Sequence, residues 1–136
     1  MHLKLIKNPD ESKKIIYDIS RVIYAETHAT SLLVVEAMAS MIKNISISSK
    51  KDFKDIISDE SLFDSLKENS RNHQYLKIDS QNRAFQMCMR VVKRMLNGDL
   101  ADCCFGATKF HHSDEMPDWA VARGYIADID GLLFYL

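Results

Sequence analysis

Apolar residues recur at helical spacing from Ile15 to Ile23, with Ile15, Ile16, Ile19, Val22 and Ile23 on one stripe. Glu26 falls four beyond Val22 and three beyond Ile23, where that stripe would continue. A carboxylate is therefore expected at the edge of the core and not on the open face. Asn8-Pro9-Asp10-Glu11 supplies a helix start: a capping side chain, a proline at the first helical position, and an acid three residues after the cap. Residues 27–31 break the pattern and predict a turn. Leu32 to Ile42 is apolar nearly all round, with the small residues Ala37, Ala39 and Ser40, and predicts a central buried helix. Asn44 to Ser49 reads as a connection, and Phe53, Ile56 and Ile57 as a short third helix.

From Asp59 to Asp79 the chain is polar and irregular, with Phe63, Leu66, Tyr75 and Leu76 as isolated anchors. A loop of that length in a small domain more often binds something than fills space. Asp79 or Ser80 is the expected cap of a further helix. Its buried face is Ala84, Phe85, Met87, Cys88, Val91, Val92, Met95 and Leu96, and Asn97-Gly98 ends it. Extended segments then follow at Ala107 to His111, Tyr125 to Ile129 and Leu132 to Leu136. Asp130-Gly131 between the last two is a hairpin turn pair. Helices first and a small C-terminal antiparallel sheet last predict an α+β fold. No linker, repeat or low-complexity tract divides residues 1–136, so one domain is expected.

Composition narrows the function classes. A chain of 136 residues with 46% hydrophobic and 27% charged residues can bury a core. Its net charge of -1, with the basic residues scattered, gives no footprint for nucleic acid. The start, Met1 to Lys7, lacks the apolar core of a signal peptide, and no run approaches the length of a membrane span. As a sequence it reads as soluble and cytoplasmic, with no stable membrane insertion. Cys88, Cys103 and Cys104 suggest neither a disulfide framework nor a zinc site, and small buried roles are expected. No phosphate-binding glycine motif, nucleophile elbow or HExxH sequence is present, and neither metal nor cofactor is expected.

The chemistry centres on Glu26. A carboxyl beside apolar side chains is favoured in its neutral form and prepared to donate a proton, as glycosidic cleavage requires. The alternative is a capping or surface glutamate. Glu36 is the better structural acid. Hydrolysis needs a second carboxylate, with Asp114, Glu115, Asp118, Asp128 and Asp130 as candidates if the fold brings them close. A lytic route needs none, because the sugar's own C6 hydroxyl attacks the anomeric carbon. Tyr24, Phe63, Phe110, Trp119 and Tyr135, with Tyr75, are candidate sugar platforms. His111-His112, adjacent on a strand and so on opposite faces, cannot easily share a metal ion; structural or solvent roles are the first reading, and His111 is the candidate if one of them faces substrate. His28 is a candidate tuner of Glu26 and substrate contact.

Ile23-Tyr24-Ala25-Glu26, the helix ending in Asn44, Gly106-Ala107-Thr108-x-Phe110-His111, Pro117-x-Trp119-Ala120 and the closing Ile129-x5-Tyr135 with Phe134 resemble the SleB-type cell wall hydrolases. The resemblance runs from about Arg21 to Tyr135. It implies a fold related to lysozyme and the lytic transglycosylases, with peptidoglycan glycan strands as substrate. The bond cut would be that between N-acetylmuramic acid and N-acetylglucosamine, leaving an anhydromuramic end, with action in the cell envelope. Glu26 matches the family's catalytic glutamate. Thr108, Phe110 and His111 match its substrate-side segment. The chain departs from the family pattern in places. Glu26-Thr27-His28-Ala29-Thr30 stands for Glu-Ala-Arg-Gly-Glu. Ser65 keeps an expected serine while Leu66 stands for a tryptophan, and Leu132 stands for a histidine. A catalytically weak or inactive glycan-binding homologue is the alternative reading.

Overall fold

The stripe that begins at Ile15 becomes one face of a long helix. The computed structural model describes residues 9–120 and 123–136, in which α1 spans Pro9–Thr27. The expected cap at Asn8 lies outside the described residues. Thr27 closes α1 by donating its hydroxyl to the Ile23 carbonyl at 2.8 Å, while its Oγ1 accepts the Ala29 N–H at 3.0 Å. His28 and Ala29 then take left-handed backbone conformations, φ 54° and 49°, and turn the chain sharply.

Ser31 caps α2 (Leu32–Ser49), its side chain accepting the Val34 N–H at 3.1 Å. The helix does not stop near Asn44 as expected. It continues because Ile45 is still buried, and the Ser46 and Ser49 hydroxyls fold back onto the Lys43 and Ile45 carbonyls. Lys50, at φ 58°, ends it. The full helix is 18 residues with mean hydropathy 1.3. Its length and composition alone would therefore allow a membrane span, correcting the expectation that no run reaches that length. Half of it is buried against the rest of the protein.

Asp52 caps the short α3 (Phe53–Ile56). Residues 59–79 hold two 3-10 turns, Asp64–Leu66 and His73–Lys77. The next helix, α4 (Arg83–Leu96), is capped by Asn82, which accepts the Phe85 N–H at 3.0 Å. Asp79, an expected cap, serves instead in the preceding turn, where it accepts the Gln81 N–H at 2.9 Å. The helix ends at Asn97-Gly98, with Gly98 at φ 78°.

The chain closes with β1 (Lys109–His112), β2 (Ala127–Ile129) and β3 (Leu132–Tyr135), an antiparallel sheet in the order β1-β3-β2. Asp130 and Gly131 both have positive φ, 51° and 80°, the two-residue turn that a right-twisted hairpin favours. The protein is thus α+β, as expected. Ile19 and Ile23 of α1, Met38 and Ile42 of α2, Val92 of α4 and Phe134 of β3 belong to one hydrophobic cluster, each fully buried. Each such side chain contributes on the order of 1.5–3 kcal/mol. Glu36 is structural, pairing with Arg94 across α2 and α4 at 2.9 Å. Cys88 and Cys104 are buried, and desolvation pushes both thiols up to about 12, so they pack as small apolar groups.

Candidate active site

Glu26 occupies the last turn of α1 and is 1% exposed. Its position follows from the helix: the residue continues the buried stripe just before the chain leaves the core. Two elements distant in sequence meet its carboxylate. The Ser65 N–H, in the first 3-10 turn, donates to Oε2 at 2.8 Å. His112, at the end of β1, brings Nε2 to 3.4 Å from Oε1. His73 Nδ1 bonds the Ser65 carbonyl at 2.8 Å and so holds that turn in place. The hydrogen bond to Glu26 raises the His112 pKa above its ordinary 6.5. The Glu26, Glu115 and Asp114 charges add to the rise and partial burial opposes it.

Two open cavities, of about 300 and 400 Å³, meet at this pair, and both are lined by Glu26 and His112. In the first, one wall comes from the 59–79 segment, including Leu62, Asp64 and Lys67. The other comes from β1 and the chain after it, with Phe110, Met116, Pro117 and Trp119. In the second, Arg71, Asn72 and Tyr75 face the turn at Thr27 to Thr30, with Asp130 and Leu132 of the hairpin. Each volume is that of a small-ligand pocket, and the buried carboxylate lines both.

The residues expected at a substrate site divide into three groups. Phe110 and Trp119 line the first cavity, and Thr108 lines an adjoining recess with them. His28 lines the second, bonded to Asn72 Oδ1 at 2.9 Å and packed on Tyr75 with ring centres 4.6 Å apart. Tyr24 lies outside both cavities, edge-on to Tyr75 and Phe85. Phe63 is fully buried in the core, 6.2 Å from Phe110.

His111 and Tyr135 are also buried. His111 Nε2 and the Tyr135 hydroxyl bond at 2.8 Å, the rings are stacked, and Trp119 meets both edge-on. His111 Nδ1 is taken by the His112 carbonyl at 2.7 Å, so both ring nitrogens already have partners. Although His111 borders the first cavity, the histidine that reaches the carboxylate is His112. Strand pairing decides this. Phe110 opposes Phe134 and His112 opposes Leu132, so these four share the face turned to the helices.

Other groups that sequence reasoning did not single out are Arg71 and Asn72; Ser65 is the serine expected from the resemblance, and it is its backbone N–H that meets Glu26. Asp130, one of several candidate second acids, lines the second cavity with Glu26, where its Oδ2 accepts the Thr30 hydroxyl at 3.0 Å. Among the described residues no cluster of three or more His, Cys, Asp or Glu side chains is arranged to hold a metal ion. Compared with family models, curated proteins and solved structures, the chain finds no match.

Proposed function

We propose that this protein cleaves the glycan strands of peptidoglycan, with Glu26 as proton donor and then acceptor. The observation that carries the reading is a buried carboxylate paired with a histidine at the junction of two open, sugar-sized cavities. A glycan laid through both would lie over the Glu26–His112 pair, whose side chains are 0% and 22% exposed. A shift of His112 must therefore uncover the carboxylate for a glycosidic oxygen to reach it. The fold reading accompanies it: a floor carboxylate on a helix, with a small antiparallel sheet as one wall, suits a lysozyme-like or lytic transglycosylase-like arrangement. The resemblance to the SleB-type hydrolases points to the muramic acid to glucosamine bond and to action in the cell envelope.

In the lytic route the pair Glu26–His112 holds one proton. Glu26 passes it to the bridging oxygen as the bond from that oxygen to the anomeric carbon breaks. The C6 hydroxyl of the same muramic residue attacks that carbon, and its proton returns to Glu26, leaving a 1,6-anhydro end. His112 steadies the carboxylate after it gives up the proton, and the Ser65 N–H fixes its orientation. Phe110 and Trp119 supply apolar faces for one sugar, while Asn72, His28 and Arg71 offer donors to the other.

Further carboxylates favour a second route. Asp130 shares the second cavity with Glu26, and Glu60, Asp64 and Glu115 share the first; in hydrolysis one of them would take a proton from a water attacking the anomeric carbon. Mass spectrometry of products from purified peptidoglycan separates the routes. Anhydromuramic ends are expected; ends heavier by one water establish hydrolysis and shift the role of base to one of these carboxylates. Binding without any product supports the glycan-binding homologue and ends the catalytic reading.

A further inference from the structure

The recess that Thr108 lines has a volume of about 300 Å³ and runs along Thr108, Lys109 and Phe110, with Met41 and Leu62 adding apolar surface. It adjoins the first cavity, sharing Leu62, Phe110 and Trp119 with it, and no residue of β2 or β3 lines it. β1 is an edge strand, paired with β3 alone. Ladder parity decides which of its backbone groups are spent. The Ser113 N–H donates to the Gly131 carbonyl at 2.8 Å, and the register steps back from there to His111–Leu133 and Lys109–Tyr135. His111 and Lys109 therefore turn their N–H and C=O groups to β3, while His112 and Phe110 turn theirs outward. On His112 the outward pair is already used: its N–H donates to Glu115 Oε1 at 3.1 Å and its carbonyl accepts the Glu115 N–H at 3.0 Å. Among the described residues no side chain, turn or loop takes up the corresponding pair on Phe110. The recess also carries a cation. Lys109 Nζ stands 5.7 Å from the centre of the Trp119 ring, and among the described residues it pairs with no carboxylate.

We propose that this recess is a subsite for the short acidic peptide that a peptidoglycan strand carries on its muramic lactyl group. One residue of that peptide extends the sheet by bonding the Phe110 N–H and C=O. Its side chain rests on Met41 and Leu62, and a carboxylate of the peptide meets the Lys109 ammonium. A free strand edge, an apolar floor and an unpaired cation together fit an acidic peptide, whereas a bare sugar leaves the strand edge unused. This inference rests on the glycan-binding reading of the groove and deepens it by adding the peptide to what is recognised.

The test measures binding without cleavage, in a Glu26→Gln background, with the single tryptophan, Trp119, as fluorescent reporter. Three probes are titrated: short peptidoglycan fragments with their peptides intact, the same fragments stripped of peptide, and the released peptide alone. Intact fragments are expected to bind about tenfold more tightly than stripped ones, the size of two backbone hydrogen bonds and one ion pair. Adding Lys109→Ala weakens binding of the intact fragments roughly two- to fivefold and leaves the stripped ones unchanged. Lys109→Arg keeps the preference.

Equal affinity for intact and stripped fragments overturns the subsite and leaves the glycan reading standing. So does a Lys109→Ala loss that is the same for both. Released peptide held through Lys109 while stripped fragments fail to bind supports the subsite and counts against the glycan reading alone. No binding of any probe overturns both.

Discussion

The two faces of β1 carry the same side chain one position apart and treat it in opposite ways. On one face His111 is enclosed by Tyr135 and Trp119, with both ring nitrogens bonded inside the protein. On the other, His112 lies beside an open groove and spends one nitrogen on Glu26. The first arrangement stabilises the sheet. The second leaves a titratable pair next to space that a ligand can enter. Identical chemistry thus becomes enclosed or accessible according to what covers it, and the alternation of the strand makes the assignment.

Substitutions at these positions should separate the two roles. The largest effect is expected at the carboxylate that only one face meets. Glu26→Gln should lower glycan cleavage by about 10²–10⁴-fold, the range for losing a general acid, measured as product released per folded protein. Phe63→Ala should act on the opposite side of the comparison. It should destabilise the fold by about 3–5 kcal/mol in denaturant unfolding, since that ring is core and not a sugar platform. His111→Ala should cost about 1–3 kcal/mol of stability by leaving the Tyr135 hydroxyl without its partner. Its cleavage rate per folded molecule should fall far less than that of His112→Gln, and a larger loss in His111→Ala would reverse the assignment.

The pH dependence sharpens the same contrast. The folded protein holds the His112 pKa above 6.5, mainly through the hydrogen bond to Glu26, so folding favours its charged form. The resulting stabilisation is fully present below pH 6.5 and is lost as pH rises through the raised folded value. Activity should decline over the same window, because the pair then loses its proton. Stability curves of wild type and His112→Gln, measured across that window, should converge on its alkaline side. The smallest effect is expected at Thr30→Val. That change removes one exposed hydrogen bond to Asp130 and should shift stability by about 0.5–1.5 kcal/mol at most, read by thermal unfolding.

Much of this layout was legible in the residue pattern. The helical stripe leading to Glu26, the apolar centre of α2, the long α4 and the Asp130-Gly131 turn all follow from local periodicity and turn chemistry. Other features depend on contacts that periodicity does not encode. α2 outruns its expected end because Ile45 finds a buried site and Asn44 bonds the Ala107 carbonyl at 3.1 Å, far along the chain. His111 looked like the substrate residue because alternation states that neighbours diverge without stating which one turns inward. The pairing of His112 with Leu132 supplies that parity. Phe63 and Tyr135 share the aromatic character of Phe110 and Trp119, and only packing separates core rings from groove rings. The meeting of Ser65 with Glu26 spans 39 positions and left no local trace.

The central claim is that Glu26 passes a proton to a glycosidic oxygen. Digesting peptidoglycan with wild-type, Glu26→Gln and His111→Ala proteins, each verified as folded, and weighing the released sugars tests it most directly. The account requires anhydromuramic products from wild type and from His111→Ala, and essentially none from Glu26→Gln. Undiminished product from Glu26→Gln would contradict it.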